Sequence, residues 1–175
     1  LIKKVYIPKY IFPLEKVMFA FVNMLFSMIA LVIMMGVTKL GIIGSAADLN
    51  ISWTIVLFFI PMLYTLVFSL GLGLILAAVN VYFRDVGHLY SVWTMAWMYL
   101  TPIIYPMDIV EGTWVMNVIR LNPMYYFVTY FRDVVTNGTV PGLKTNLLCM
   151  GISLLFLVLG LWVFKKKQDR FILFI

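Results

Sequence analysis

Charge is scarce in this chain, and that scarcity decides its class. Asp, Glu, Lys and Arg make up 11% of the 175 residues, hydrophobic residues make up 64%, and the mean hydropathy is +1.05. Soluble domains carry about 25% charged residues, so an ordinary water-soluble fold is excluded and an integral membrane protein is expected. The length bounds a single domain. The one cysteine, Cys149, lies in an apolar run. It can form no disulfide within the chain and no thiolate cluster for a metal, and it reads as a small packing residue. There is also one histidine, His88. No GxxxxGK[ST] phosphate loop is present, so ATP is not bound by that route. Neither a GxSxG elbow nor paired carboxylates nor a His/Cys metal spacing occurs. The chain begins at Leu1 rather than Met and is expected to be a piece whose N-terminal part is missing, with no signal peptide to read.

What is present is long apolar runs. A spanning helix needs about 20 apolar residues, and four segments qualify: 17–37, 53–79, 89–106 and 146–164. None contains Asp, Glu, Lys, Arg or His. Ion-coupled transporters usually place ionisable residues within the membrane, and their lack argues against that class. Lysine and arginine collect at the two ends: Lys3, Lys4, Lys9 and Lys16 before the first run, and Lys165, Lys166, Lys167 and Arg170 after the last. The positive-inside rule then puts both ends and the 80–88 turn in the cytoplasm, and 38–52 and 107–145 outside. The excess charge of +6 lies wholly in the two cytoplasmic ends. It suits anionic headgroups or a cytoplasmic partner and requires no nucleic acid.

Segment 107–145 carries its own helix punctuation. Asp108 followed by Glu111 is a capping-box pattern that predicts a helix to about Arg120. Asn122–Pro123 predicts an N-cap with proline at the first helical position, and Asn137–Gly138 predicts the end of that second helix. Pieces of roughly 12 residues reach about 18 Å, too short to span. A re-entrant helical hairpin dipping into the outer leaflet is therefore expected, with an amphipathic pair lying on the membrane surface as the alternative. Asn50-Ile-Ser and Asn137-Gly-Thr also match glycosylation sequons, without arguing for a eukaryotic host.

Three further features stand out. Ser69, Gly73 and Ala77 recur every four residues, a small-residue stripe suited to helix packing. Asn23 and Ser27 share a face of the first run, where an interhelical hydrogen bond is expected. Tyr90, Trp93 and Trp97 form an aromatic stripe at helical spacing. Tyr90 reads as an interfacial anchor, whereas Trp97 lies deeper, and aromatic faces stack on sugar rings. The turn NVYFRDVGHL places Arg84, Asp85 and His88 close together. Arg84 complements the end of one helix dipole and Asp85 caps the next. A membrane-embedded glycosyl- or acyltransferase would have to use these three groups, but no second carboxylate or nucleophile accompanies them.

Four passages together carry a family resemblance: LIKKVYIPKYIFPL (1–14), NVYFRDVGHL (80–89), TPIIYP (101–106) and LNPMYYFVTYFRDVV (121–135). The chain resembles the permease subunit of a type-2 ABC exporter, in the branch that exports polysaccharides and polyol phosphates such as O-antigen, capsule or teichoic acid. The resemblance covers essentially the whole chain. It implies an all-α polytopic protein of the bacterial cytoplasmic membrane, with about six spans in the full subunit and four here. It also implies a homodimer enclosing a channel for a lipid-linked glycan polymer, surrounded by membrane lipids. A cytoplasmic ABC ATPase dimer would bind the ATP and Mg, so this chain would need no cofactor and perform no catalysis. On that resemblance 1–16 is the coupling segment and 165–175 a basic tail. Lys3, Lys4, Lys9, Tyr10, Arg84 and Asp85 then approach the ATPase. Tyr90, Trp93 and Trp97 line the channel, and Trp114, Tyr125, Tyr126 and Tyr130 gate its exit. An exporter of drugs or lipids is the alternative within the same architecture.

Overall fold

The computed structural model describes residues 10–40, 53–83, 85–105, 107–110 and 112–167. Lys3, Lys4, Lys9, Arg84, Glu111 and Arg170 lie outside the described residues, as does the Asn50 sequon. All regular structure among the described residues is helical: α1 (Ile11–Lys39), a 3-10 segment (Trp53–Phe58) leading into α2 (Phe59–Asn80), α3 (Val86–Leu100), a 3-10 turn (Met107–Ile109), α4 (Val115–Leu121), α5 (Pro123–Val135) and α6 (Leu143–Lys167). Three are long and apolar enough to cross a bilayer: α1, the continuous Trp53–Asn80 helix, and α6. The expectation of an all-α polytopic membrane protein holds.

The third expected span takes a different form. Its helix starts earlier than the apolar run, at Val86, and stops at Leu100, giving 15 residues and a length of about 22 Å. The stop has a local cause. Thr101 precedes a proline, which disfavours helical backbone, and it is extended, with φ −93° and ψ 126°. The chain then turns through 101–105.

The centre of the fold is the packing of α2 along α6. Gly71 and Gly160 face each other at the crossing. A Cβ added at Gly71 would overlap the Phe156 carbonyl, and one added at Gly160 would overlap the Gly71 carbonyl oxygen and stand 2.8 Å from its Cα. Small residues continue the seam: Ala78, Cys149 and Ser153 are buried. The Ser153 hydroxyl lies 2.7 Å from the Cys149 carbonyl and 3.0 Å from that of Tyr64, donating across the helix pair. Burying polar groups in hydrocarbon is costly unless they are paired, so this bond also fixes the register. The Tyr64 hydroxyl reaches the Asn146 side-chain oxygen in the same seam.

α1 lies outside this pair and buries no residue fully. Val17, Phe21, Met24, Met28, Leu31 and Met35, all half-buried, follow an alternating four-and-three spacing that keeps one stripe on a neighbouring helix. That neighbour is α2. Ser69 shares a cleft with Lys16, Val17, Ala20, Phe21 and Met24, and a Cβ on Gly73 would stand 3.3 Å from Val17 Cγ2. The Ser69/Gly73 part of the small-residue stripe thus meets α1, while Ala77 packs beside Leu74, Ala78 and Phe164. Asn23 and Ser27 do not bridge helices. Both are exposed, and the Ser27 hydroxyl donates to the Asn23 carbonyl one turn back, 3.0 Å away.

The helix expected from Asp108 also forms differently. After the 3-10 turn, Gly112 takes a φ of +81°, which no right-handed helix contains, and α4 begins only at Val115 without a side-chain cap. The second helix matches expectation closely. Pro123 opens α5, the Asn122 side chain accepts from the Met124 N–H at 3.0 Å, and Gly138 has a φ of +63° just beyond its end.

Gly71→Val should overpack the α2–α6 crossing and cost about 1–3 kcal/mol or more, seen as a lower melting temperature and reduced monodisperse yield in detergent. Gly151→Ala serves as the control, because a Cβ there meets nothing within 4 Å, and it should melt like the parent.

Candidate functional site

Two passages far apart in sequence close on each other at one end of the bundle. Thr101, buried just after α3, donates its hydroxyl to the Trp97 carbonyl at 2.9 Å and accepts from Asn122 Nδ2 at 2.8 Å. Asn122, 2% exposed, therefore uses both ends of its amide: the oxygen caps α5 and the nitrogen holds the end of α3. Arg132, three turns along α5, donates to the Ile103 carbonyl at 3.2 Å. The irregular 101–105 backbone is thus fastened at two points by α5. Non-helical backbone at membrane depth needs such partners.

α5 is itself anchored by an aromatic face. Phe127, Tyr130 and Val134 are buried at helical spacing. The Phe127 ring meets Phe68 at 5.6 Å, and Tyr130 meets Tyr64 edge-on at 6.2 Å. Phe68 also packs on Phe156 of α6 at 4.7 Å. The Thr54 hydroxyl adds a bond to the Val134 carbonyl at 3.1 Å. The four aromatic residues named for an outer gate therefore occupy different settings. Tyr130 is in the core, whereas Trp114 is 75% exposed. Tyr125 and Tyr126 are half-buried with their rings 5.1 Å apart, and the Tyr126 hydroxyl donates to the Arg120 carbonyl at 3.0 Å.

α3 contrasts with all of this. It buries no residue, and its main helical neighbour is α2. Tyr90, Trp93 and Trp97 share one face, and the two indoles lie 5.4 Å apart at 47°. Trp93 is 59% exposed. An exposed aromatic face of this kind offers stacking surface.

At the opposite end, α2 stops at Asn80 and Asp85 occupies the N-cap position of α3, as expected, although its side chain makes no capping bond. His88 is exposed in the first turn. Among the described residues no three His, Cys, Asp or Glu side chains gather in a way that could hold a metal. Tyr10, the described member of the coupling group with Asp85, stands at the N-cap of α1 and is half-exposed. Sequence reasoning named Asn122 as a cap but did not find Thr101 as its second partner, nor Arg132 as the clamp on Ile103. For the Thr101–Asn122 pair, the proline following each residue was the available signal, and Arg132 had none of that kind.

The profile of the ABC-2 type transporter family matches residues 3–136. An O-antigen export system permease protein RfbA of Klebsiella pneumoniae is 28% identical over 173 residues, covering 98% of this chain and 62% of that protein. A second RfbA from the same organism is 25% identical over the same extent. The RfbA of Myxococcus xanthus is 28% identical over 131 residues, covering 74% of this chain and half of its own length. The chain thus spans between half and about three-fifths of these relatives.

Thr101→Val should leave the Asn122 amide unpaired at a buried site and cost about 1–3 kcal/mol. In a double-mutant cycle with Asn122→Ala, followed by thermal melting, the coupling should be at least about 0.5 kcal/mol. Additive losses would mean that the pair does not act as a unit.

Proposed function

Because this chain belongs to the ABC-2 type transporter family, we propose that it forms the membrane path of an ATP-driven exporter carrying a lipid-linked glycan polymer across the cytoplasmic membrane. The observation that carries this reading is the alignment of nearly the whole chain with O-antigen export permeases. The multi-pass helical architecture supports it, as does the separation of a basic end from an end built of short helices.

In this proposal α3 completes a fourth crossing, and two copies of the full subunit enclose the path. Tyr90, Trp93 and Trp97 supply a stacking surface along which successive sugar rings move, with no covalent bond made or broken. α4 and α5 form the outer rim, where Trp114, Tyr125 and Tyr126 face the emerging polymer and buried Tyr130 keeps α5 seated. At the cytoplasmic end, Lys3, Lys4, Lys9, Tyr10, Arg84 and Asp85 face a separate ATPase dimer that binds ATP and Mg. Force applied there reaches the outer rim through α2 and α6, whose close crossing makes them move as one body. His88 has no catalytic part.

Deletion of the full-length gene in its native host should abolish one surface glycan, and the tagged permease should co-purify with an ATPase subunit. Unchanged surface glycan together with altered resistance to drugs would favour a drug or lipid exporter instead. Trp93→Ala with Trp97→Ala should lower surface glycan several-fold at normal protein level, measured by glycan blotting. Unaltered glycan would contradict the conduit role of α3.

A further inference from the structure

A groove of about 400 Å³ runs between α1, α2 and α6, lined by Tyr10, Pro13, Leu14, Leu70, Leu74, Leu157, Leu161, Phe164 and Lys165. Its polarity is graded along its length. Lys165 and Tyr10 stand at one end. Leu161 lies one helical turn below Lys165 and Leu157 two turns below, about 6 and 12 Å deeper. Leu70 and Leu74 of α2 form the facing wall. From this gradient we infer that the groove binds one anionic phospholipid, with the phosphate at Lys165 and an acyl chain along the leucines.

The neighbouring side chains fix the depth at which the groove would sit. Lys166 Nζ lies 5.1 Å above the Trp162 ring and Lys167 Nζ 4.6 Å from the Tyr82 ring. Tryptophan and tyrosine collect at the headgroup level of a bilayer, and lysines reach outward from buried stems. The same turn of α6 therefore marks the interface, and it places Lys165 among phosphates and Leu157 among acyl chains. Three successive lysines close this end of α6. The described acids on the flanking elements are Glu15, exposed on α1, and Asp85 at the start of α3, against Lys16, Lys165, Lys166 and Lys167, so cationic character prevails. The lysine at its end favours a ligand with an anionic head over an apolar helix face, and a zwitterionic lipid offers that lysine no net charge. An anionic lipid matches both the charged end and the leucine wall, and can enter sideways from the bilayer.

Assigning the site to the cytoplasmic leaflet rests on the orientation proposed above, whereas lipid binding itself does not. Native mass spectrometry of the full-length permease, titrated with phosphatidylglycerol or phosphatidylcholine, tests the inference. One phosphatidylglycerol per copy should be retained in preference to phosphatidylcholine. Lys165→Glu should weaken that retention by about tenfold or more, and Leu161→Trp, which fills the groove, should weaken it with the lysines intact. Equal retention of both lipids, or retention unaffected by either substitution, overturns the proposal. So does a photo-cross-linker attached at Leu161→Cys that captures protein, or a lipid-linked glycan, in place of phospholipid. Export by a Lys165→Glu variant that no longer retains phosphatidylglycerol separates this inference from the transport reading.

Discussion

The contact on which the rest depends is the approach of α2 to α6 at Gly71 and Gly160. In a bilayer, helices gain no hydrophobic advantage by leaving lipid for one another, so association depends on close packing and on interhelical hydrogen bonds. Two facing glycines provide the first. The Ser153 hydroxyl shared with the Tyr64 carbonyl, and the Tyr64–Asn146 bond, provide the second. Along α6, Ser153 and Gly160 lie on either side of Phe156, whose ring fills the space against Phe68. Tyr64 and Phe68 are thereby held where α5 needs them, and the short helices α4 and α5 acquire a floor that they could not make alone.

From that floor the structure around α5 is assembled by polar groups used twice. Asn122 caps its own helix and holds Thr101, and Thr101 passes the bond on to the Trp97 carbonyl. Arg132 then restrains the Ile103 carbonyl from the far side of α5. The result is a turn after α3 whose backbone groups are tied to a neighbour rather than left in hydrocarbon. α3 itself remains loosely attached and aromatic. A tightly packed α2–α6 pair beside a sparsely packed α3 divides the chain into a frame and an exposed aromatic helix.

Much of this was legible in the sequence, for physical reasons that differ by element. Hydropathy located the three long helices because burying some 20 apolar residues is a property of composition alone. Asn122–Pro123 announced α5 because capping is local chemistry. Local signals misled where the next residues overruled them. Asp108 and Glu111 have the spacing of a capping box, but Gly112 turns the chain before a helix can propagate. The apolar run 89–106 is long enough to span, but Pro102 ends its helix at Leu100. Pairing between distant segments was the least legible. Ser69, Gly73 and Ala77 recur every four residues, as Cys149 and Ser153 do at the α6 contact, yet two of them serve α1. Which glycine meets which helix depends on a partner 89 residues away in the case of Gly71 and Gly160, and no local pattern encodes that choice.

The central claim, that this chain is the membrane path of an ATP-driven glycan exporter, is tested most directly by reconstitution. The full-length permease and its cognate ATPase would be placed in proteoliposomes with a fluorescent lipid-linked glycan confined to the face exposing the ATPase, and arrival at the other face followed with an impermeant glycosidase. The account predicts glycan transfer that requires ATP and both proteins and slows markedly when Trp93 and Trp97 are replaced by alanine. Transfer independent of ATP, or ATP hydrolysis by the intact complex with no glycan transferred, would contradict it.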